Sequence, residues 1–194
     1  IDLGGGTTDY VVYARNTIAA AGVLAVGGDH VTNDISKGLR IPILEAERLK
    51  EEVGSAIADL TTRAQKVPLS TDAGTAHRAV KLSDLNSIIH LRVEETFGLL
   101  KQQFEEENLL HSMGGGLVLT GGGAYMKNVE RLAEKIFGLP CRRGQPRNVS
   151  GLAVATDGPE YASVVGMVRY GFKTAGRDNT PSSIWETFKR ILKK

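Results

Sequence analysis

The stretch Asp2-Leu3-Gly4-Gly5-Gly6-Thr7-Thr8-Asp9 sets three consecutive glycines between two short runs that read as strands, residues 1–3 and 9–14. Glycine lacks a Cβ, so the backbone of such a turn can approach an anion closely with its N–H groups turned inward. Thr7 and Thr8 add hydroxyl groups. Asp2, at the strand end, suits a hydrated Mg²⁺ held against phosphates, and Asp9 suits the same water shell. A bare glycine triplet is compatible with an ordinary tight turn, but the whole Asp-x-Gly-Gly-Gly-Thr-x-Asp string between strands is far more specific.

Moving outward, residues 9–14 and 17–26 read as a hairpin around Arg15-Asn16. Gly27-Gly28 ends this meander. Val31, Ile35 and Leu39 then recur at helical spacing over 29–40. Pro42 opens a second helix, for which Gly54 is the expected C-cap. Residues 64–69 and 79–82 read as short β pieces. The longest helix is expected over 84–107, with Ile89, Val93, Phe97, Leu100 and Phe104 as its buried stripe. A strand at 117–120 runs into a second glycine triplet, Gly121-Gly122-Gly123, and then a helix over about 125–137. Taken alone, that triplet is a plain strand-to-helix turn. Paired with the first, it suits a flat ring or sugar lying against the backbone. A strand at 139–142, a loop to 151 and a helix over 160–172 follow. Alternation of strands with helices implies a mixed α/β domain.

These motifs resemble the actin-like ATPase superfamily. Asp2 to Asp9 is similar to its second phosphate loop, and Leu117 to Ala124 to its adenosine motif. Glu45-Ala46-Glu47-Arg48-Leu49-Lys50 resembles the helix that presses on adenine and ribose in MreB and DnaK-type relatives, with Glu47 and Lys50 at the matching positions. Without the resemblance those charges read as a solvated helix face. Within the superfamily the FtsA family of bacterial cell-division proteins fits best, on Val26 to Ile35, Arg147 to Leu152 and Ala162 to Met167. The resemblance implies an α/β, actin-like (ribonuclease H-like) domain 2A over residues 1–27 and 113–175, with domain 2B inserted at 28–112. It implies ATP bound through Gly4, Gly5, Gly6, Thr7, Thr8, Glu47, Lys50, Gly121, Gly122 and Gly123, with Mg²⁺ held through water on Asp2.

Residues 176–182 read as a linker. Ser183-Ile184-Trp185-Glu186 has the form of a capping box. In the helix that would follow, Ile184, Trp185, Phe188, Ile191 and Leu192 share one face, and Lys189, Arg190, Lys193 and Lys194 the other. Such a helix could dock on its own protein, but the linker and the basic polar face favour a membrane surface. Each apolar side chain could add about 1.5–3 kcal/mol if fully buried, and each basic one about 1 kcal/mol against anionic lipid. Reversible surface binding is therefore expected for 183–194.

The totals limit the other classes. The 194 residues are 41% hydrophobic and carry 24 basic against 22 acidic side chains, a net charge of +2. That balance argues against a nucleic-acid-coating protein. The lone Cys141 cannot form an internal disulfide and suggests a reducing compartment. Four scattered histidines show no metal-ligand spacing. The chain starts at Ile1 without methionine, in what reads as mid-strand, so it is expected to be a piece whose N-terminal part is absent.

The family resemblance implies a protein that polymerises, receives the C-terminal peptide of FtsZ in domain 2B, and sits on the cytoplasmic face of the cell membrane at the division site. Catalysis is expected to be weak or missing, because the other phosphate loop of the superfamily belongs to the first domain. A PilM-type pilus-assembly scaffold and a sugar-kinase-like phosphotransferase are the alternatives.

Overall fold

The computed structural model of the chain describes residues 1–59, 64–70, 78–147 and 157–175. Three strands open it: β1 (Asp2–Leu3), β2 (Thr8–Ala14) and β3 (Thr17–Leu24), antiparallel in the order β1-β2-β3. The β2–β3 turn has Arg15 at φ 50° and Asn16 at φ 63°. Two left-handed central residues are the hallmark of the type I′ turn that matches strand twist. An extra residue at Ala19 shifts the register, pairing Val12 with Ala20 but Tyr13 with Ile18.

Helices α1 (Gly28–Leu39) and α2 (Ile43–Glu52) follow, then a small antiparallel pair, β4 (Lys66–Pro68) and β5 (Ala79–Lys81). The long α3 covers Leu82–Glu106. Strand β6 (Leu117–Leu119) pairs in parallel with β7 (Cys141–Arg143), and α4 (Val129–Phe137) crosses between them. The Leu3 N–H donates to the Thr120 carbonyl at 2.8 Å, and the Thr120 N–H to that of Ile1 at 2.8 Å. Those bonds join the two groups into one mixed sheet of order β3-β2-β1-β6-β7, antiparallel on one side of β1 and parallel on the other.

One face of this sheet is packed. Tyr10, Val12, Leu117 and Leu119 are buried against α3 and α4, where Phe104 meets the Tyr10 ring edge-on at 5.0 Å and lies 5.9 Å from Phe137. Gly22 faces Tyr10 across the ladder, and any Cβ there would overlap the tyrosine ring. The far half of α3 packs on α1, with Arg92 paired to Asp34 at 2.5 Å. Phe97, Leu100 and Phe104 therefore belong to the sheet's core.

The opposite face stays open. Asp9, Val11 and Tyr13 share it with Val23 and Ile18, their cross-strand partners and neighbours. Tyr13 is 64% exposed and Val23 62%. Helix α5 (Ala162–Ala175) lies beside this face, leaving a groove of about 780 Å³ lined by Val11, Tyr13, Val118, Ala162 and Gly166.

Several boundaries differ from expectation. After Gly121 the chain takes a 3-10 turn (Gly122–Tyr125), and α4 starts only at Val129 because Asn128 is left-handed at φ 63°. Strand β7 starts at Cys141, not Leu139, since Pro140 contributes only its carbonyl, to Leu117 N–H. Gly54 does not end α2 by a left-handed cap. A Cβ there would overlap the Lys50 carbonyl and Ile89 Cδ1, so the glycine serves close packing of α2 on α3.

Candidate functional site

The two glycine turns meet at β1. In the first, Gly4 N–H donates to the Thr7 carbonyl at 3.0 Å, closing the hairpin between Leu3 and Thr8. Gly5, Gly6 and Thr7 are exposed. The N–H groups of Gly5 and Gly6 have no protein acceptor among the described residues, and a Cβ on Gly6 would meet nothing. Thr7 Oγ1 donates to Asp9 at 2.9 Å. Thr8 differs: it is 1% exposed and its hydroxyl donates to the Val26 carbonyl at 2.8 Å, so it anchors the turn and does not line its open side.

In the second turn, Gly121 has φ +81°, and a Cβ there would overlap Asp2 Oδ1 and the Leu3 carbonyl. Its N–H donates to the Pro159 carbonyl at 3.0 Å. Gly123 packs against Leu3, while Gly122 is exposed with open space above it. The N–H groups of Gly122 and Gly123 start the 3-10 turn and so lack an acceptor within it. Asp2 sits between the turns and accepts a hydrogen bond from Ser163 Oγ at 2.5 Å.

The N-terminus of α1 closes the other side. Gly28 N–H donates to Gly4 O at 2.9 Å and Asp29 N–H to Gly5 O at 2.8 Å. A Cβ on Gly27 would overlap both carbonyls. His30 Nδ1 reaches back to accept the Gly27 N–H at 3.2 Å. Glu47 and Lys50, one turn apart on α2, face this same corner. Lys50 Nζ bonds Glu47 at 2.8 Å, Thr32 Oγ1 at 2.8 Å and the Gly28 carbonyl at 3.3 Å. Thr32 also donates to Glu47. Burial opposes ionisation of Glu47, but its bonds from Lys50 and Thr32 outweigh that and hold the carboxyl below the usual range. The pair is thus a braced ionic cluster against α1, and not the freely solvated face that its spacing alone would give. Ser55 and Ala56, just beyond α2, bond Asn128 and the Lys127 carbonyl, tying α2 to the segment after the second turn.

Asp2, Gly4 to Thr7, Glu47, Lys50 and Gly121 to Gly123 are therefore gathered around one corner of the sheet. Gly27, Thr32 and Ser163 join them and were not singled out from the sequence. Gly27-Gly28 directly before a helical run was the available signal. Among the described residues no cluster of three or more His, Cys, Asp or Glu side chains could hold a metal ion. Burial pushes the Cys141 thiol up to about 11, which disfavours a nucleophile there. The membrane-facing candidates Ile184, Trp185, Phe188, Lys189, Arg190, Ile191 and Leu192 lie outside the described residues. Among the described residues no helix is long and apolar enough to cross a membrane.

A family model described as "Cell division protein FtsA" matches residues 1–166. Among curated proteins, the FtsA of Neisseria meningitidis serogroup B is 33% identical over 184 residues, covering 94% of this chain and 44% of that protein. The FtsA of Rhizobium meliloti is 34% identical over 173 residues, covering 88% and 39%. The chain spans less than half the length of the curated relatives it matches. Among solved structures, MreB5 of Spiroplasma citri bound to AMPPNP superposes with a TM-score of 0.68 at 21% identity, over 91% of this chain and 53% of that one. A PilM–PilN type IV pilus biogenesis complex gives 0.59 at 18% identity, covering 88% and 44%. Both share an actin-like fold with this chain.

Proposed function

Since the chain belongs to the FtsA family of cell-division proteins, we propose that it supplies one wall of an ATP site and couples that site to filament formation and to the membrane. The observation that carries the nucleotide part is the convergence of two glycine turns on Asp2-Leu3, each leaving exposed N–H groups beside open space. The donor set fits a nucleotide. Gly5, Gly6 and Thr7 would face phosphate oxygens, and Gly122 and Gly123 would leave room for the adenosine. Glu47 and Lys50 would border the ribose. Asp2 would hold Mg²⁺ through water, consistent with a single carboxylate where an all-protein cage would need several. MreB5 bound to AMPPNP and to ADP, on the same fold, lends support.

The membrane part rests on the amphipathic, basic run 183–194. The further roles follow from family membership: head-to-tail polymerisation, and reception of the FtsZ C-terminal peptide by residues 28–112 acting as an inserted 2B module. The PilM and sugar-kinase alternatives share the fold but not the family.

Thermal unfolding with and without Mg-ATP tests the nucleotide site. Mg-ATP at about ten times its Kd should raise the Tm by about 2–4 °C. Gly122→Val should abolish the rise while changing the ligand-free Tm little, because a Cβ at that position meets no protein atom within 4 Å. No rise in the parent chain, or an equal rise in the variant, would sink the assignment. Co-sedimentation of residues 1–194 and 1–182 with anionic vesicles tests the tether, and a blue shift of Trp185, the sole tryptophan, reports its immersion in the 1–194 chain.

A further inference from the structure

Three arginines line one groove at the edge of the sheet. Arg142 is in register with Val118, so its side chain emerges on the α5 face. There it lines a groove of about 390 Å³ with Arg147 and Arg169. All three are exposed. None is in an ion pair among the described residues, and no acidic side chain lines the groove. Arg169 Nη1 donates to the Arg147 carbonyl at 2.9 Å, which sets the Arg169 guanidinium against the Arg147 backbone, and the Arg147 guanidinium has no ion-pair partner among the described residues. The contrast with Arg143, one residue on, is sharp. It turns to the other face, pairs with Glu130 at 2.9 Å and lies over the Tyr125 ring at 5.4 Å. Residues 148–156, next to Arg147 in sequence, contain no acid that could neutralise it. Guanidinium groups clustered this way recognise phosphate oxygens, because the planar fork donates two parallel hydrogen bonds.

We propose that this groove binds the phosphate headgroup of an anionic lipid, giving the membrane-bound protein a second contact besides its C-terminal segment. The inference rests on the tether reading above. Arg169 lies six residues before the end of α5, about 9 Å along the helix axis. The seven residues 176–182 that follow reach at most about 25 Å. When residues 183–194 lie on a bilayer, the groove is thus held within a short distance of the same headgroups. Two contacts on one tether raise the effective concentration of the weaker one.

The test measures partitioning of residues 1–194 onto vesicles of phosphatidylcholine with and without phosphatidylglycerol. Arg142→Gln with Arg147→Gln removes two groove charges and retains the Arg147 carbonyl that Arg169 uses. Lys66→Gln with Lys81→Gln removes the same number of charges from two exposed residues paired across β4 and β5. The arginine double variant should partition about 10–30-fold more weakly onto the anionic vesicles. The lysine one should stay within about threefold of the parent chain. Equal losses in the two double variants, or no loss in the arginine one, would overturn the proposal and hand the groove to an acidic protein partner. Failure of the tether reads out separately: residues 1–182 would then bind as well as 1–194, while the arginine comparison still reports on the groove. No binding of the parent chain to either vesicle overturns both.

Discussion

At the scale of single residues, the site depends on atoms that are missing. Gly27 is buried against the Gly4 and Gly5 carbonyls, where no Cβ fits. Gly27→Ala must push α1 off the first glycine turn, at a cost of about 1–3 kcal/mol. Chemical denaturation should show that loss, together with a smaller Mg-ATP stabilisation than in the parent chain. Glu45 makes a different prediction. Its hydrogen bonds from Arg48, at 2.6 and 3.0 Å, come first among the causes that hold its carboxyl below the ordinary 4.5, with the Ser70 N–H adding at 2.8 Å. A carboxyl with a lowered folded pKa gives stability that is full above the unfolded value and lost as pH falls through the folded one. The parent chain should therefore lose stability below about pH 4.5 more steeply than Glu45→Gln, as pH-dependent urea unfolding would show. The two glycine turns were legible as close backbone turns because each directly follows a strand, and the Asp-x-Gly-Gly-Gly-Thr-x-Asp string is more specific than a bare triplet. The burial of Thr8 was not legible, because a threonine hydroxyl beside a glycine turn reads the same whether it faces ligand or backbone. Thr32 and Ser163 were invisible, since their partners Lys50 and Asp2 are distant in sequence.

At the scale of elements, periodicity did most of the work. The α3 stripe through Ile89, Val93, Phe97, Leu100 and Phe104 is buried throughout. Its start is two residues earlier than expected, at Leu82. What periodicity could not show is that a single helix serves two neighbourhoods, α1 through Arg92 and the sheet through Phe104. The Arg15-Asn16 turn was legible from its place between two β runs, but not its left-handed backbone. Non-glycine residues in that conformation cost about 1 kcal/mol each, asparagine less than arginine. Replacing the pair with Asn-Gly, through Arg15→Asn and Asn16→Gly, should stabilise the chain by about 1 kcal/mol. A rise in Tm without change in Mg-ATP response would bear this out. A fall would mean that the Ala19 bulge, and not the turn, sets the hairpin's twist.

At the scale of the whole molecule, the sheet has one dry side and one wet side. Composition gave no hint of that. Val164, Met167, Val168, Tyr170 and Phe172 are large and apolar, yet each is more than half exposed on α5, Phe172 at 80%. They share α5 with Ala162 and Gly166, which line the groove beside Val11 and Tyr13. Periodicity marks a face as apolar but does not say whether the chain has anything to lay over it. For the isolated chain this has a colloidal consequence. With a net charge of only +2, long-range repulsion between molecules is weak, and the greasy face supplies short-range attraction. Static light scattering should return a negative second virial coefficient, more negative in sulfate, which strengthens apolar association, than in chloride at equal ionic strength.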